Sequence, residues 1–303
     1  MADPNSPDGP SGIYVLPFAD TGHLKTVFRD VAYADRSPFQ ALDLYLPEGA
    51  PPAFGWPLVV FVHGGAWMMC DKRDIQLKSP LTLIDHGIAV ASVNYRLSSE
   101  ARFPAQIHDV KAAIRCLRAR AAEFGIDGER LGIWGASAGA HLALLAGMTG
   151  RASVLDDLSL GHSGETGEVA AVVSWFGPTD FLKMDGYLRE TGAGVPDHGD
   201  AASPESKLLG DRIDRVPGLV RAANPETWLT PDCPPVLFQH APADPIVPVQ
   251  MSVHFAARIN QVAGPGRARL HLVEGAGHAG PEFDRPEVVG RTVAFLKETL
   301  RIA

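Results

Sequence analysis

The chain has 303 residues, of which 46% are hydrophobic and 20% are charged, and its formal net charge at neutral pH is −8. A chain of this length and apolar content buries a substantial core, so disorder is excluded for most of it. The negative charge, together with the lack of any cluster of lysine and arginine, argues against nucleic-acid partners.

The N-terminal residues and the cysteines indicate the compartment. Residues 1–22 are expected to form a flexible segment, and residues 1–12 lack the basic and apolar regions of a secretory signal. No apolar run approaches ~18 residues, so no membrane-spanning segment is expected. The three cysteines, Cys70, Cys116 and Cys233, have neither metal-ligand nor disulfide spacing. We therefore expect a cytoplasmic protein with free thiols and no metal site.

The first half of the chain alternates between strand and helix patterns. Residues 25–34 and 40–47 are predicted to form an antiparallel pair that opens a sheet, because leucines alternate with other residues in the second run. Residues 58–62 and 89–93 are short, nearly all-apolar runs, which is typical of parallel strands covered on both faces. Apolar residues at helical spacing then predict a helix over 103–124.

The second half repeats this alternation. Further strands are predicted at 130–134, 169–175, 236–239 and 268–273, and a last helix begins at Pro286. This order predicts one α/β domain over 23–303, with a mostly parallel, doubly wound sheet flanked by helices and with ligands beyond the carboxyl ends of the strands. Residues 181–231 interrupt the alternation after the sixth strand, so we expect them to form a small inserted cap.

The sequence Gly135-Ala-Ser137-Ala-Gly139 is the most informative motif. It joins a predicted strand to an Ala- and Leu-rich helical run, which is the setting of a nucleophile elbow. In such a turn small neighbours let the serine hydroxyl stand clear of the backbone, and the following helix directs free N–H groups at developing negative charge. Because G-x-S-x-G alone arises by chance in roughly one chain in six of this composition, the strand-turn-helix context carries the interpretation.

Three other polar motifs follow predicted strands at the same edge of the sheet. His63-Gly-Gly-Ala-Trp67 comes after the third strand, Asp244 after the seventh and His278 after the last. A neutral serine hydroxyl is a poor nucleophile, so a histidine must take its proton and a carboxylate must hold the imidazole in the right tautomer. The amides expected to receive an oxyanion are those of Gly64, Gly65 and Ala138.

Taken together, these motifs resemble those of the α/β-hydrolase esterases, most closely the feruloyl- and acetyl-esterase-like (BD-FAE) carboxylesterases. The resemblance is carried by His63-Gly-Gly-Ala-Trp67, Asn94-Tyr-Arg-Leu97, Phe103-Pro-Ala, Gly135-Ala-Ser-Ala-Gly139, Asp244-Pro-Ile-Val-Pro248 and Gly275-Ala-Gly-His278. It implies the α/β-hydrolase fold and hydrolysis of a carboxylic ester through an acyl-enzyme intermediate, without a cofactor. It assigns Ser137 as the nucleophile, Asp244 as the acid and His278 as the base.

The chain departs from the pattern of these esterases at three places. Ala66 replaces the last glycine of the usual HGGG sequence, Ala140 replaces a second glycine after the elbow, and Ala241-Pro242 follows His240 where a glycine is common. None of these changes removes a catalytic group. They bear on the helix packing beneath the elbow and stiffen the loop that carries Asp244.

Several polar residues also have structural interpretations. His63, His141 and His240 are expected to bond to the backbone or to pack in the core rather than to do chemistry. Asp180, in the loop after the sixth strand, competes with Asp244 for the role of the acid. Capping or anchoring of the inserted segment is the more common role for such an aspartate.

Four residues are predicted to contact the substrate, namely Ala66, Trp67, Phe181 and Trp228. With the cap beside the opening, they favour a small-to-medium acyl or aromatic ester as the small-molecule partner. An aryl formamidase and a peptidase stay open as alternatives, since nothing in the motifs separates esters from amides. A non-catalytic ligand receptor on the same fold is a third alternative, although such proteins commonly lack the histidine present here as His278. The sequence also leaves a homo-oligomer open.

Overall fold

The computed structural model describes residues 15–152 and 154–302. Within these residues the centre is a sheet of eight strands, which are β1 (Val27–Ala32), β2 (Ala41–Tyr45), β3 (Trp56–Val62), β4 (Ala89–Val93), β5 (Ile126–Ala136), β6 (Ala171–Trp175), β7 (Val236–His240) and β8 (Ala268–Leu272). Their order across the sheet is β1-β2-β4-β3-β5-β6-β7-β8. β2 runs antiparallel to both of its neighbours, and all other neighbouring pairs are parallel. The predicted mostly parallel α/β sheet is therefore confirmed.

Helices cover both faces of this sheet. In the part of the chain that the structure describes, they are α1 (Lys78–Leu81), α2 (Ala105–Ala119), α3 (Ala121–Phe124), α4 (Ala138–Thr149), α5 (Met184–Thr191), α6 (Pro204–Leu209), α7 (Pro217–Ala223), α8 (Gln250–Ala263) and α9 (Pro286–Thr299). The helix predicted over 103–124 is divided, because the backbone at Arg120 (φ −103°, ψ 18°) leaves the helical region between α2 and α3. α8 is missing from the sequence prediction, although Met251, Phe255 and Ile259 are buried at helical spacing. None of the described helices has both the length and the apolar character needed to cross a membrane.

The side chains of the central strands alternate between two apolar cores. On β5, Leu131 and Ile133 point into the core on the side of α2, α4 and α8, whereas Trp134 and Ala136 point into the core on the side of α9. This alternation follows from the two-residue repeat of a strand. α4 consists mainly of alanine and leucine and is buried on nearly all sides, as expected for a helix in the middle of a domain. The turn between β5 and α4 is thus set between two rigid elements.

The segment between β6 and β7 is the part of the chain expected to form a cap. It contains α5, α6 and α7. Phe181, Met184 and Leu208 are buried in the same core as α2 and α4, so the segment packs on the sheet domain instead of enclosing a core of its own. Because it follows β6, the segment begins at the carboxyl edge of the sheet.

Residues 1–22 are expected to form a flexible segment, and positions 1–14 of it lie outside the described residues. The described residues begin at Val15, and the Ala19 amide donates to the carbonyl of Arg73 at 2.9 Å. Val15 is buried, and Phe18 forms an antiparallel bridge with Asp74 in the loop before α1.

Candidate active site

Ser137 occupies a strained turn between β5 and α4. Its backbone angles are φ 52° and ψ −118°, and such a conformation costs a non-glycine residue about 1–3 kcal/mol. The neighbouring glycines make the turn feasible, since a Cβ at Gly135 would clash with the Gly139 carbonyl and one at Gly139 would clash with the Val62 carbonyl. The Ser137 amide donates to the carbonyl of Trp175 at 2.9 Å. The serine hydroxyl is therefore held at the tip of the turn.

Ser137, His278 and Asp244 form a continuous hydrogen-bond chain. The Oγ of Ser137 lies 2.9 Å from His278 Nε2, and His278 Nδ1 lies 2.8 Å from Asp244 Oδ2. Because an ionised carboxylate only accepts hydrogen bonds, the imidazole proton is on Nδ1 and the lone pair of Nε2 faces the serine hydroxyl. The structure thus brings together the three residues predicted from the chain order. In this tautomer His278 is able to accept the proton of Ser137.

The carboxylate of Asp244 is buried, and both of its oxygens are hydrogen-bonded. Oδ1 accepts from the amides of Ile246 and Val247, each at 2.9 Å, and Oδ2 accepts from His278 and lies 3.3 Å from His240 Nε2. Burial by itself raises the pKa of Asp244, but the hydrogen bonds from His240 and His278 outweigh it and hold the pKa well below its ordinary value. Asp244 is therefore an anion at neutral pH.

His240 supports this carboxylate from a second direction. Its Nε2 lies 2.8 Å from the Val247 carbonyl as well as near Asp244, so Nε2 carries the proton. Its Nδ1 accepts from the hydroxyl of Ser252 at 2.7 Å, and the ring has no exposed surface. The structural setting of His240 is thus that of an anchor for the Asp244 side chain.

An aromatic side chain absent from the sequence prediction, Phe176, supports the imidazole of His278. The two rings meet edge to face with centroids 4.9 Å apart, and Phe176 packs in turn on Phe283. Phe176 has a φ of 42° directly after β6, so the chain turns sharply there. The signal available in the sequence is its position, one residue beyond a strand that ends at this edge of the sheet.

The amides predicted to bind an oxyanion are not equivalent. Ala138 is the first residue of α4, so its N–H has no acceptor within the helix and lies next to Ser137. Within residues 15–152 and 154–302, neither Ala138 nor Gly65 donates its amide to another group. The Gly64 amide, in contrast, donates to Gln76 Oε1 at 2.8 Å. The prediction of Gly64 as a free donor is therefore corrected, because an internal acceptor already occupies its N–H.

His63 and His141 lie in structural settings near the elbow. His63 Nδ1 donates to the carbonyl of Gly64 at 2.7 Å, and its ring stacks on Tyr95 with centroids 4.7 Å apart. His141 lies in α4, where its Nε2 donates to the carbonyl of Ala223 at 2.7 Å. Burial lowers the pKa of His141 to about 4, so this ring is neutral at neutral pH.

Asp180 bonds to the segment between β6 and β7 instead of joining the hydrogen bonds that link Asp244, His278 and Ser137. Its Oδ1 accepts from Asn224 Nδ2 at 2.9 Å and from the Leu182 amide at 3.2 Å. Leu182 lies at the start of the segment 181–231, and Asn224 lies near its end. Asp180 therefore links residues near the two ends of this segment.

The residues predicted to contact the substrate differ in exposure. Trp67 and Phe181 are only 2% and 1% exposed, because they pack on each other and on His141. They support the elbow from below and present little surface to a substrate. Ala66, with a φ of 53°, and Trp228 are half-buried and keep surface for contact with a small molecule.

A cavity of about 590 Å³ begins at Met68, one residue after the turn 63–67, and neither Ser137 nor His278 is among its lining residues. Its lining also includes Ser98 and Arg102 from the segment after β4, and residues of α6. β3 and β4 run parallel to β5, so their carboxyl ends lie at the edge where Ser137 stands. The segment between β6 and β7 thus forms one wall of this cavity.

Comparison with known proteins supplies independent information. The BD-FAE family model matches residues 42–259. The chain is 33% identical over 254 residues to the esterase LipC of Mycobacterium tuberculosis, an alignment that covers 82% of this chain and 59% of LipC. It is 28% identical over 271 residues to the esterase LipQ of the same organism, covering 89% of this chain and 61% of LipQ. The chain therefore spans about three-fifths of the length of these curated relatives.

A solved structure extends the similarity to three dimensions. A truncated form of a carbohydrate esterase from gut microbiota matches this chain with a TM-score of 0.82 and 31% sequence identity. The match covers 94% of this chain and 99% of that chain. The architecture built around the elbow is thus shared over nearly the full length of both.

Proposed function

This chain belongs to the BD-FAE family, and from that premise we propose that it is a serine esterase that hydrolyses carboxylic esters of small-to-medium acyl or aromatic acids. The observation that carries the proposal is the hydrogen-bond chain from Ser137 through His278 to Asp244, with distances of 2.9 and 2.8 Å. The names of the relatives LipC and LipQ, both esterases, support the same reaction class. A non-catalytic receptor does not require hydrogen bonds that link a serine, a histidine and an aspartate in this way.

In the proposed mechanism Ser137 is the nucleophile. As its Oγ attacks the carbonyl carbon of the ester, His278 Nε2 takes the hydroxyl proton and Asp244 stabilises the imidazolium that forms. The carbonyl oxygen becomes an oxyanion in the tetrahedral intermediate. We assign the amides of Ala138 and Gly65 to this oxyanion, a contribution of roughly 10²–10³ in rate for each donor.

The second half of the proposed cycle releases the alcohol and then the acid. His278 gives its proton to the leaving oxygen as the bond to the alcohol breaks, and the acyl group remains on Ser137. A water molecule then attacks the acyl-enzyme, with His278 again acting as the base. The carboxylic acid leaves, and the serine hydroxyl is restored.

The proposed limit on acyl size is supported by the packing around the elbow. Trp67 and Phe181 pack on each other and on His141, one helical turn after Ser137, and leave little open space there. A long acyl chain needs an extended apolar surface on which to lie. A short or medium acyl group, or an aromatic acid, is therefore the expected substrate, and a long-chain triglyceride is not.

We also propose the domain organisation and the location. Residues 23–303 form one domain, with residues 181–231 as its cap. This is supported by the buried side chains of the cap, which share a core with the sheet domain. The three cysteines are buried and unpaired, which supports a reducing compartment such as the cytoplasm.

A comparison of three chromogenic substrates tests the reaction class. The substrates are p-nitrophenyl butyrate, a matched p-nitroanilide and a formanilide. A kcat/KM for the ester several orders of magnitude above those for both amides supports the esterase. A higher value for the anilide or the formanilide would assign a peptidase or an aryl formamidase instead. No turnover of any substrate would favour the receptor.

The variant Ser137→Ala tests the nucleophile. It is expected to lose ester hydrolysis and to resist a fluorophosphonate, which labels the wild-type protein once, at Ser137. Ser159→Ala is the matched control, because it removes an exposed hydroxyl that bonds to Asp157 on the surface. The control is expected to keep both activity and labelling. Labelling at any other serine contradicts the assignment.

A further inference from the structure

We propose that Gln76 is a positioning residue for the oxyanion site, which holds the turn 63–67 through the amide of Gly64. The inference rests on the proposed function, because the geometry of this turn affects catalysis only if the protein hydrolyses esters at Ser137. Gln76 lies in a short 3-10 helix, Ile75–Leu77, that follows the turn in the chain. It belongs to none of the sequence motifs described above.

Gln76 bridges the turn and a buried carboxylate. Its Oε1 accepts from the Gly64 amide at 2.8 Å, and its Nε2 donates to Asp74 Oδ2 at 3.1 Å. A backbone N–H only donates and a carboxylate only accepts, so the two partners fix the orientation of the Gln76 amide. Asp74 has no exposed surface, and its Oδ1 accepts from the backbone amide of Gln76 at 2.9 Å. Both the backbone and the side chain of Gln76 are therefore tied to one buried group.

The hydrogen bond to Gly64 fixes one peptide plane of the turn. The planar unit between His63 and Gly64 carries the His63 carbonyl on one edge and the Gly64 N–H on the other. The hydroxyl of Tyr95 donates to this carbonyl at 3.1 Å, while Gln76 accepts from the N–H. The unit is held from both edges, so it does not rotate without breaking a hydrogen bond.

The next peptide plane carries the proposed oxyanion donor. It contains the Gly64 carbonyl, which accepts from His63 Nδ1 at 2.7 Å, and the N–H of Gly65. A Cβ on Gly64 would lie 2.9 Å from Gln76 Oε1 and 3.3 Å from Ser137 Cβ, so Gly64 is clamped between the glutamine and the elbow. A change at Gln76 therefore moves the Gly65 amide relative to Ser137.

Loss of this clamp is expected to slow catalysis without weakening substrate binding. Oxyanion donors act chiefly in the transition state, so their displacement lowers kcat and leaves KM nearly unchanged. A misplacement on the order of 1 Å costs about 10²-fold in rate. If the Gly64 N–H were itself an oxyanion donor, its release from Gln76 would free it, and kcat would not fall.

The variant Gln76→Met tests the clamp, because methionine fills a similar volume without either hydrogen bond. We expect kcat for p-nitrophenyl butyrate to fall about 10- to 100-fold, with KM within about twofold of wild type. A trifluoromethyl ketone forms an oxyanion when it adds to the serine. Its affinity is therefore expected to fall in parallel with kcat/KM.

Gln40 provides a matched control. It also bridges a carboxylate and a backbone amide, since its Nε2 donates to Asp109 Oδ1 at 2.7 Å and its Oε1 accepts from the Arg36 amide at 2.8 Å. It lies beside β2, which is separated from β5 by two strands. Gln40→Met is expected to lower thermal stability and to leave kcat and ketone affinity unchanged. If Gln76 had only a structural role, Gln76→Met would likewise lower thermal stability and leave kcat and ketone affinity unchanged.

A reciprocal exchange restores the hydrogen-bond pattern by another route. Gln76→Glu alone sets a second carboxylate against Asp74 and is expected to lower kcat. Adding Asp74→Asn places a donor against the new carboxylate and keeps an acceptor for the Gly64 amide. The double variant is expected to recover kcat to within about threefold of wild type.

The outcomes separate this inference from the proposed function. Equal kcat and equal ketone affinity in wild type and Gln76→Met overturn the inference and leave the esterase intact. A wild-type protein that neither hydrolyses esters nor reacts with a fluorophosphonate overturns the proposed function, and the inference with it. If Gln76→Met does not fold, the double variant provides the test. A double variant whose kcat is no higher than that of Gln76→Glu would overturn the inference.

Discussion

The replacement Asp244→Asn is predicted to disable His278 while leaving the fold intact. Asp244 Oδ1 accepts from the amides of Ile246 and Val247, so the oxygen of the asparagine must take this position. The NH₂ group then replaces Oδ2 and faces His278 Nδ1. A donor at this place forces the imidazole proton onto Nε2, where it points at Ser137.

The size of the effect follows from the lost tautomer. With a proton on Nε2 the imidazole no longer accepts from the serine hydroxyl, and we expect kcat to fall about 10⁴-fold, or about 5 kcal/mol of transition-state stabilisation. KM is expected to change little, because Asp244 is 1% exposed and lies behind His278. The new NH₂ also meets the proton on His240 Nε2, so a loss of roughly 1–3 kcal/mol in the free energy of unfolding accompanies the change.

The assay is steady-state hydrolysis of p-nitrophenyl butyrate, with urea unfolding as the measure of the fold. Asp180→Asn is the matched control, because Asp180 follows the neighbouring strand and accepts from Asn224 in the cap. It is expected to lower stability and to keep kcat within a few-fold of wild type. An Asp244→Asn protein with more than about a tenth of the wild-type kcat would refute the reasoning. A larger loss in Asp180→Asn would move the acid to Asp180.

Three further predictions concern the proposed triad, the buried histidine and the cap. Ser137→Ala and His278→Ala are each expected to lower kcat by roughly 10⁵–10⁶-fold, and the double variant no further, so additive losses of ester hydrolysis would contradict a single catalytic unit. Burial lowers the pKa of His141 to about 4 from 6.5, so the native state binds fewer protons than the unfolded chain, and the free energy of unfolding falls by up to roughly 3 kcal/mol as the pH drops through this window. Urea titrations across that range are expected to show a shallower pH dependence for His141→Gln, and an identical dependence would exclude His141 as its source. A series of p-nitrophenyl esters is expected to peak below about ten carbons and to shift when the cap 181–231 is shortened, whereas an unchanged profile would separate the cap from acyl choice.

The strands and the order of the site residues are predictable because they depend on local signals. β4 coincides with the nearly all-apolar run 89–93, since a strand covered on both faces buries its side chains in both directions. The turn at Ser137 is recognisable because glycine is required on either side of it. Since parallel strands end at one edge of a sheet, residues that follow them are expected to meet, as Asp244 and His278 do.

The supporting contacts are not predictable in this way, because they arise between distant segments. Gln76 and Phe176 belong to no motif, and packing of separate parts of the chain brings each to its partner. The exposure of Trp67 and Phe181 depends on the same tertiary packing. From sequence alone, an aromatic residue that follows a strand is able to contact either the substrate or the core. Here Trp67 and Phe181 both pack on the buried ring of His141.

The stiffened loop before Asp244 is compatible with the geometry of the site. The Asp244 amide donates to the Ala241 carbonyl at 3.3 Å, which closes a turn around Pro242. His240 then holds the Asp244 side chain from the strand that precedes the loop. Asp244 is held by hydrogen bonds at both its backbone amide and its carboxylate, so a glycine hinge is not needed to place it.

Ala140, which follows the turn at Ser137, lies close to Gly177 in the loop after β6. A Cβ at Gly177 would lie 2.7 Å from the methyl group of Ala140, closer than two carbon atoms approach without a shift. Ala140 thus occupies space that a side chain at position 177 would need, and the two positions are constrained as a pair. Gly177 lies in the loop between β6 and Asp180, whose carboxylate accepts hydrogen bonds from Leu182 and Asn224. The close approach of Ala140 and Gly177 therefore sets how α4 packs against the loop that leads into the segment 181–231.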